Sequence, residues 1–170
     1  MSRPLALAVA LLLPVSLAAQ QAAPVPPPPQ PAYATDSAAI HQVIVGLFDG
    51  MRTRDTAAMR SFFHMPVATR SVSWRQGKPS IEAGDIEPWL KGVAGAPADK
   101  LLDERLGPLD IRVDQNLAAV WVYYEFYFGG EFSHCGADAF QLGRTEAGWK
   151  ILLLSDSRRK ADCSRSLAGK

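Results

Sequence analysis

What this chain lacks narrows its function first. It carries 18 Lys and Arg against 17 Asp and Glu, a formal charge of +1, so there is no broad basic field to hold nucleic acid. It has no glycine-rich phosphate loop and no Gly-x-Ser-x-Gly nucleophile elbow. With 3 His and 2 Cys, and no HxH, HExxH or CxxC spacing, neither a metal centre nor a cofactor is expected. No repeat recurs along the chain. The longest apolar run, over 5–17, is about 13 residues, short of the roughly 20 that span a bilayer.

That short run has its own meaning. Arg3 precedes it and the small residues Ser16, Ala18 and Ala19 close it, the pattern of a cleaved export signal over 1–23. No Cys follows, so a lipid anchor is not expected. Over 24–34, Pro24, Pro26, Pro27, Pro28, Pro29 and Pro31 impose extended polyproline geometry, which reads as a linker. The folded domain is expected over 35–166, about 130 residues, enough for one core, with a tail over 167–170. The expected location is periplasmic or secreted. In an oxidising compartment Cys135 and Cys163 read as a disulfide, with two buried thiols or a metal pair as the alternative.

Asp36 can cap a helix in which Ile40, Val43, Ile44, Leu47, Phe48 and Met51 form one apolar stripe. Asp55 caps a shorter helix carrying Ala58, Met59, Phe62 and Phe63, ended by Pro66. Residues 67–75 alternate as a strand, and Gln76-Gly77-Lys78-Pro79 turns it. The spacing predicts a third helix over 82–93, with Pro88 in its first turns. Strands follow over 101–106, 109–113, 117–128, 131–144 and 149–159, with Gly129-Gly130 as a hairpin turn. Helices placed before a run of antiparallel strands imply an α+β two-layer domain. The strand over 117–128 is apolar on both faces. If the helices cover one face, a second copy covering the other makes a homodimer through the sheet; the alternative is cover from the linker and tail.

This order resembles the nuclear transport factor 2-like superfamily. The resemblance rests on the amphipathic first helix, "RTRDTAAMRSFF", "VDQNLAAVWVYYEFY" and "RTEAGWKILLLSDSR", and spans most of 35–159. It implies an exported, bacterial-type member with a cone of about three N-terminal helices on a curved, mostly antiparallel mixed sheet. It also implies a cavity between helices and concave sheet for a small, largely apolar molecule. The superfamily holds both enzymes and binding domains, so fold alone does not assign the chemistry.

His134 and Asp138 share one face of the strand over 131–144 with Phe132, Phe140 and Leu142. A regular two-residue turn at Gly129-Gly130 sets Glu125 opposite His134 and Trp121 opposite Asp138, with Tyr123 between them. A two-residue turn at Glu146-Ala147 would add Ser155 and Leu153 to that face. A bulge at Gly148 would instead shift that register by one and turn Asp156 and Arg158 toward the cavity. Asp138 is the candidate buried acid. His134, and His64 at the end of the second helix, are candidate proton carriers, and Tyr123 a candidate hydrogen-bond donor. Trp74, Trp89, Trp121, Tyr123 and Phe140 are candidate ligand contacts, with ordinary core as the alternative. The ketosteroid-isomerase pattern wants a Tyr in the first helix and an acid on the first strand. Phe48 and Arg70 stand there instead. Two functions of different class follow: a non-catalytic ligand-binding or dimerisation domain, and an isomerase-, dehydratase- or cyclase-like enzyme using Asp138 with His134 or His64.

Overall fold

The structure, a computed structural model, describes residues 30–163, with side chains from residue 34 onward. The expected export signal, most of the proline-rich stretch and the tail over 167–170 lie outside the described residues. The first helix, α1 (Gln30–Thr53), begins inside the stretch expected as linker. It buries Ile40, Ile44, Leu47, Phe48 and Met51, the three- and four-residue spacing that makes one apolar stripe. Asp36 therefore does not cap it. Its carboxylate lies inside the helix, pairs with Arg144 and accepts the indole N–H of Trp149 at 3.4 Å. Asp55 does cap α2 (Thr56–Ser61), its Oδ1 accepting the Ala58 N–H at 2.9 Å.

The first strand, β1 (Phe63–Arg75), starts earlier than the alternation suggested, and β2 (Lys78–Asp85) replaces the first turn of the expected third helix. The pairing runs from Trp74↔Pro79 to Ala68↔Asp85. Pro79 is tolerated because it opens an edge strand. The helix α3 is confined to Glu87–Ala94, with Pro88 in its first turn, where a missing N–H has no intrahelical partner to lose. Asp85 Oδ1 accepts the Glu87 N–H at 2.9 Å and so starts it.

Five further strands complete the chain: β3 (Leu102–Leu106), β4 (Asp110–Asp114), β5 (Leu117–Phe128), β6 (Glu131–Thr145) and β7 (Gly148–Arg159). The sheet is seven-stranded in the order β2-β1-β7-β6-β5-β3, with β4 on the same edge of β5 as β3. Only β1 and β7 pair in parallel. This is the expected α+β arrangement: N-terminal helices packed on a curved, mostly antiparallel, unclosed mixed sheet. The core fills the space between α1–α3 and the inner sheet face, including Phe48, Met59, Ile86, Val120, Phe140 and Ile151.

Two bulges decide which side chains face that layer. Ser133 is an extra residue between the pairs Tyr127↔Phe132 and Phe126↔His134. Leu152 is another, between Leu142↔Ile151 and Gln141↔Leu153. Each reverses the faces of one strand relative to its partner beyond that point. Cys135 and Cys163 form a disulfide, Cα atoms 5.8 Å apart, across a sequence separation of 28. A loop of that length restricts the unfolded chain by about 3–4 kcal/mol on the chain-entropy account. Among the described residues no helix is long and apolar enough to cross a membrane.

Candidate functional site

Leu102, Glu104 and Leu106 alternate along β3 and point inward, so a carboxyl sits where two leucines flank it. Arg52 holds this strand against α1. Its guanidinium donates to the Glu104 carbonyl at 2.6 Å and to Asp103 at 2.9 Å. On β6 the inward residues are His134, Gly136, Asp138 and Phe140. Asp138 is 4% exposed and Glu104 9% exposed, the two buried charged-type side chains among the described residues. They hydrogen-bond to each other, which requires a proton, since two ionised carboxylates have nothing to donate. Neither makes an ion pair among the described residues. Burial pushes the Glu104 carboxyl up to about 8. Burial, then the nearby charges of Glu104 and Asp156, hold Asp138 far above the usual carboxylate range. The pair thus keeps a proton at neutral pH.

Around it stand groups already partnered. Asp156 lies directly across from Asp138 on β7 and takes the Arg158 guanidinium at 2.6 Å. Tyr124 crosses the strand above Gly136 and donates its hydroxyl to the Ser157 carbonyl at 3.0 Å. This crossing explains a glycine in mid-strand, because a side chain at 136 would occupy the same space. His134 packs edge-on to Tyr124, ring centroids 5.7 Å apart, and against Phe126 at 5.2 Å. Its Nδ1 lies 3.0 Å from Ser133 Oγ. Burial and then Arg158 lower its pKa, so the ring is neutral at pH 7.

These residues open onto a cavity of about 490 Å³ between α3, β2 and the concave sheet. Glu104, Asp138, Asp156, His134 and Tyr124 line its sheet side, and Trp89 of α3 faces them. A smaller recess of about 190 Å³ adjoins it past Trp89, Gly92 and Phe126. A separate depression of about 400 Å³ lies on the outer sheet face beside Trp121. It has no buried ionisable group, and its charged residues Asp110 and Arg112 already pair at 3.1 Å, so the inner cavity carries the chemistry.

Of the residues singled out from sequence, the structure brings Asp138, His134 and Trp89 to this cavity. The Ser133 bulge sets Val122, not Trp121, opposite Asp138, and Phe126, not Glu125, opposite His134. Trp121 and Tyr123 therefore stack edge-on with each other on the outer face, centroids 6.0 Å apart. Glu125 accepts the Tyr127 hydroxyl at 3.0 Å on that same side. Trp74 is 72% exposed near the β1–β2 turn. Phe140 is core, edge-on to Phe48 with centroids 6.3 Å apart. His64 is exposed at the start of β1, outside the cavity lining. The Leu152 bulge selects the register that faces Asp156 and Arg158 inward. Glu104 escaped sequence reasoning, although the Leu-x-Glu-x-Leu alternation over 102–106 was its signal. Among the described residues no group of three or more His, Cys, Asp or Glu is arranged to hold a metal ion.

The family model described as "Putative lumazine-binding" matches residues 35–153. Among solved structures, an NTF2-like protein with a cystatin-like fold from Novosphingobium aromaticivorans is similar at 15% identity, covering 83% of this chain and 94% of that one, with a TM-score of 0.61. A function-unknown protein from Mycobacterium tuberculosis is similar at 14% identity, 82% and 81% coverage and a TM-score of 0.62. A Streptomyces avermitilis protein described as a putative dehydratase of the NTF2-like family is similar at 17% identity, 76% and 99% coverage and a TM-score of 0.56. At these identities the likeness is one of fold. No curated protein matches the chain.

Proposed function

The chain belongs to the family described as "Putative lumazine-binding", within the nuclear transport factor 2-like superfamily, and from that premise we propose that it is an exported small-ligand-binding domain whose ligand sits in the inner cavity. The observation that carries this reading is the cavity itself. It is large enough for a small molecule at about 490 Å³, walled on one side by Trp89. Its polar groups are satisfied within the protein: Asp138 by Glu104, Asp156 by Arg158, Tyr124 by the Ser157 carbonyl. A site that binds without reacting needs only to hold such groups ready. An acid–base enzyme built on Asp138 and His134 would join those two. Here Asp138 bonds to Glu104, and His134 Nδ1 lies beside Ser133.

Gly92 makes this testable. It lines the cavity from α3, and a Cβ built on it meets nothing within 4 Å. Gly92→Leu should therefore enter the cavity without disturbing the backbone. Removing a helical glycine should raise stability by about 0.5–1 kcal/mol, while the added side chain blocks the ligand. Calorimetric titration with lumazine and with the neutral 1-naphthylmethanol should show binding of at least one. The Gly92→Leu variant should weaken it by about tenfold or more, near 1.4 kcal/mol. Binding unaffected by this substitution, or no binding together with no co-purified molecule in native mass spectra, would count against the reading.

The outer face supports a second part of the proposal, self-association through the sheet. Trp121 is 47% exposed there, and Leu117, Phe132 and Leu152 are exposed large apolar residues spread along the same three strands. Sedimentation velocity should show a dimer that Trp121→Glu dissociates. A monomer at every concentration removes this part and leaves the cavity reading intact.

A further inference from the structure

Glu104 and Asp138 are at least nine-tenths buried and open onto the cavity, yet no ion pair links either to a Lys, Arg or His among the described residues. A buried carboxyl pair either has a counter-ion supplied by the fold or keeps its protons, and this pair keeps them. Here the groups that could serve are committed. Arg158 pairs with Asp156 at 2.6 Å, and Arg52 is held by Asp49 at 2.6 Å and Asp103 at 2.9 Å. Of the five carboxyls in the lining, Glu82 pairs with Arg75 at 2.6 Å and Asp156 with Arg158, which leaves Asp85, Glu104 and Asp138 without an ion pair among the described residues. The opposite wall is the indole of Trp89, and aromatic faces attract cations. Resting on the small-ligand reading above, we propose that the cavity takes an arylalkylamine in its ammonium form, with the Glu104–Asp138 pair as its counter-ion and Trp89 as its aromatic wall. The ammonium displaces one of the protons that the two carboxyls otherwise hold. Binding thus releases a proton to solvent, with no bond formed or broken on the ligand. An anionic ligand would bring its charge against the same carboxyls with no free guanidinium to meet it.

The charged and titratable groups facing the pair set the sign of the pH dependence. They are Asp156 and Arg158 on β7, His134 on β6, Tyr124 on β5 and Arg52 on α1, with Glu82 and Asp85 across the cavity on β2. Arg158, hydrogen-bonded to Asp156, is held above the ordinary guanidinium value, and burial holds His134 below the ordinary imidazole value. The pair's proton is then the one exchanged. Affinity for an amine should rise by up to about tenfold per pH unit between pH 6 and 8, below the range where an alkylammonium ionises.

The test is calorimetric titration of the intact protein at pH 7 with three probes of one ring system: 1-naphthylmethylamine, 1-naphthylmethanol and 1-naphthaleneacetate. The proposal expects the amine to bind about tenfold or more tighter than the alcohol, as charge-assisted pairs outweigh neutral ones, and the acetate not to bind. Amine titrations in buffers of different ionisation enthalpy should show net proton release. Asp138→Asn and Glu104→Gln should each erase the amine's advantage over the alcohol. If either variant fails to fold, proton release and charge ranking in the unaltered protein still decide the matter. An alcohol that binds as well as the amine, or amine binding without proton release, overturns this proposal and leaves the cavity reading standing. Failure of all three probes to bind overturns this proposal, and the cavity reading falls with it if lumazine also fails to bind and no molecule co-purifies.

Discussion

Raising the pH from 5 to 8 should destabilise this protein, by about 4 kcal/mol at the upper end. Most exported proteins with paired surface carboxylates would show little change there. The sign follows from Glu104. Its ordinary value is 4.5, and burial lifts it in the fold to about 8. Below the ordinary value both folded and unfolded chains carry the proton, and the favourable contribution is complete. Between the two values only the unfolded chain ionises, and each pH unit costs the fold about 1.4 kcal/mol. Above the folded value the contribution is lost. Asp138 is raised in the same direction and extends the loss to higher pH. His134 works the other way, because burial lowers its pKa, so the fold gains as pH rises past its ordinary value. It is only half-buried, and its opposing effect is the smaller. Urea unfolding midpoints across this range should fall with pH. In the double variant Glu104→Gln, Asp138→Asn they should not, because amides keep the hydrogen bond at every pH. The double variant should therefore overtake the original chain in stability above pH 8. Midpoints that hold level or rise between pH 5 and 8 in the original chain would show that the pair is not buried and protonated as described.

Gly136→Ala should be the most damaging single-methyl addition in the chain. A Cβ at this position would overlap the Ser157 carbonyl oxygen and come within 2.8 Å of both the ring and the hydroxyl of Tyr124. Two features prevent relief. The Ser157 oxygen belongs to the backbone of β7, fixed by its pairing with β6, so it cannot rotate away. Tyr124 is 2% exposed and tied to that same oxygen at 3.0 Å. Overpacking of one methylene against side chains costs about 1–3 kcal/mol. Against a paired backbone, with a buried hydroxyl displaced from its acceptor as well, the loss should exceed about 4 kcal/mol and leave little folded protein. Tyr124→Phe, which removes only the hydroxyl, should cost about 1 kcal/mol. Gly92→Leu, a larger addition, should be stabilising. The contrast between these glycines checks the geometry by ordinary denaturation. A Gly136→Ala protein as stable as the original would mean that Tyr124 does not cross β6 at this point.

The elements most legible in the sequence were those with a single period and a clear end. The stripe from Ile40 to Met51, the Asp55 cap, the Gly129-Gly130 turn and the α+β order all appear as expected. The strand β2 was not legible, since Pro79, Ser80, Glu82 and Gly84 offer neither β-rich composition nor a helical period. It forms because β1 has a free edge and a tight turn at Gln76-Gly77. The bulges were harder still. Hydrophobic alternation locates a register only where one face is polar. β5 carries Val122, Tyr124 and Phe126 on one face and Trp121, Tyr123 and Tyr127 on the other, so one extra residue at Ser133 leaves no trace in the pattern. That single residue moves Trp121, Tyr123 and Glu125 away from the candidate site while Asp138 stays inside it. Asp138 was legible as a buried acid because it stands on a strand among apolar neighbours. Its partner was not, because Glu104 lies on another strand, and a pair joined only by tertiary contact has no spacing to read.

The central claim is that Glu104 and Asp138 hold their protons into the neutral range in a ligand cavity. Carbon-detected NMR of the side-chain carboxyl resonances, followed from pH 3 to 10, measures it most directly. The account predicts that the Glu104 and Asp138 signals stay at protonated shifts through pH 6 and move together, with the first apparent midpoint near 8. Both signals reaching ionised shifts by pH 5, independently of one another, would contradict it.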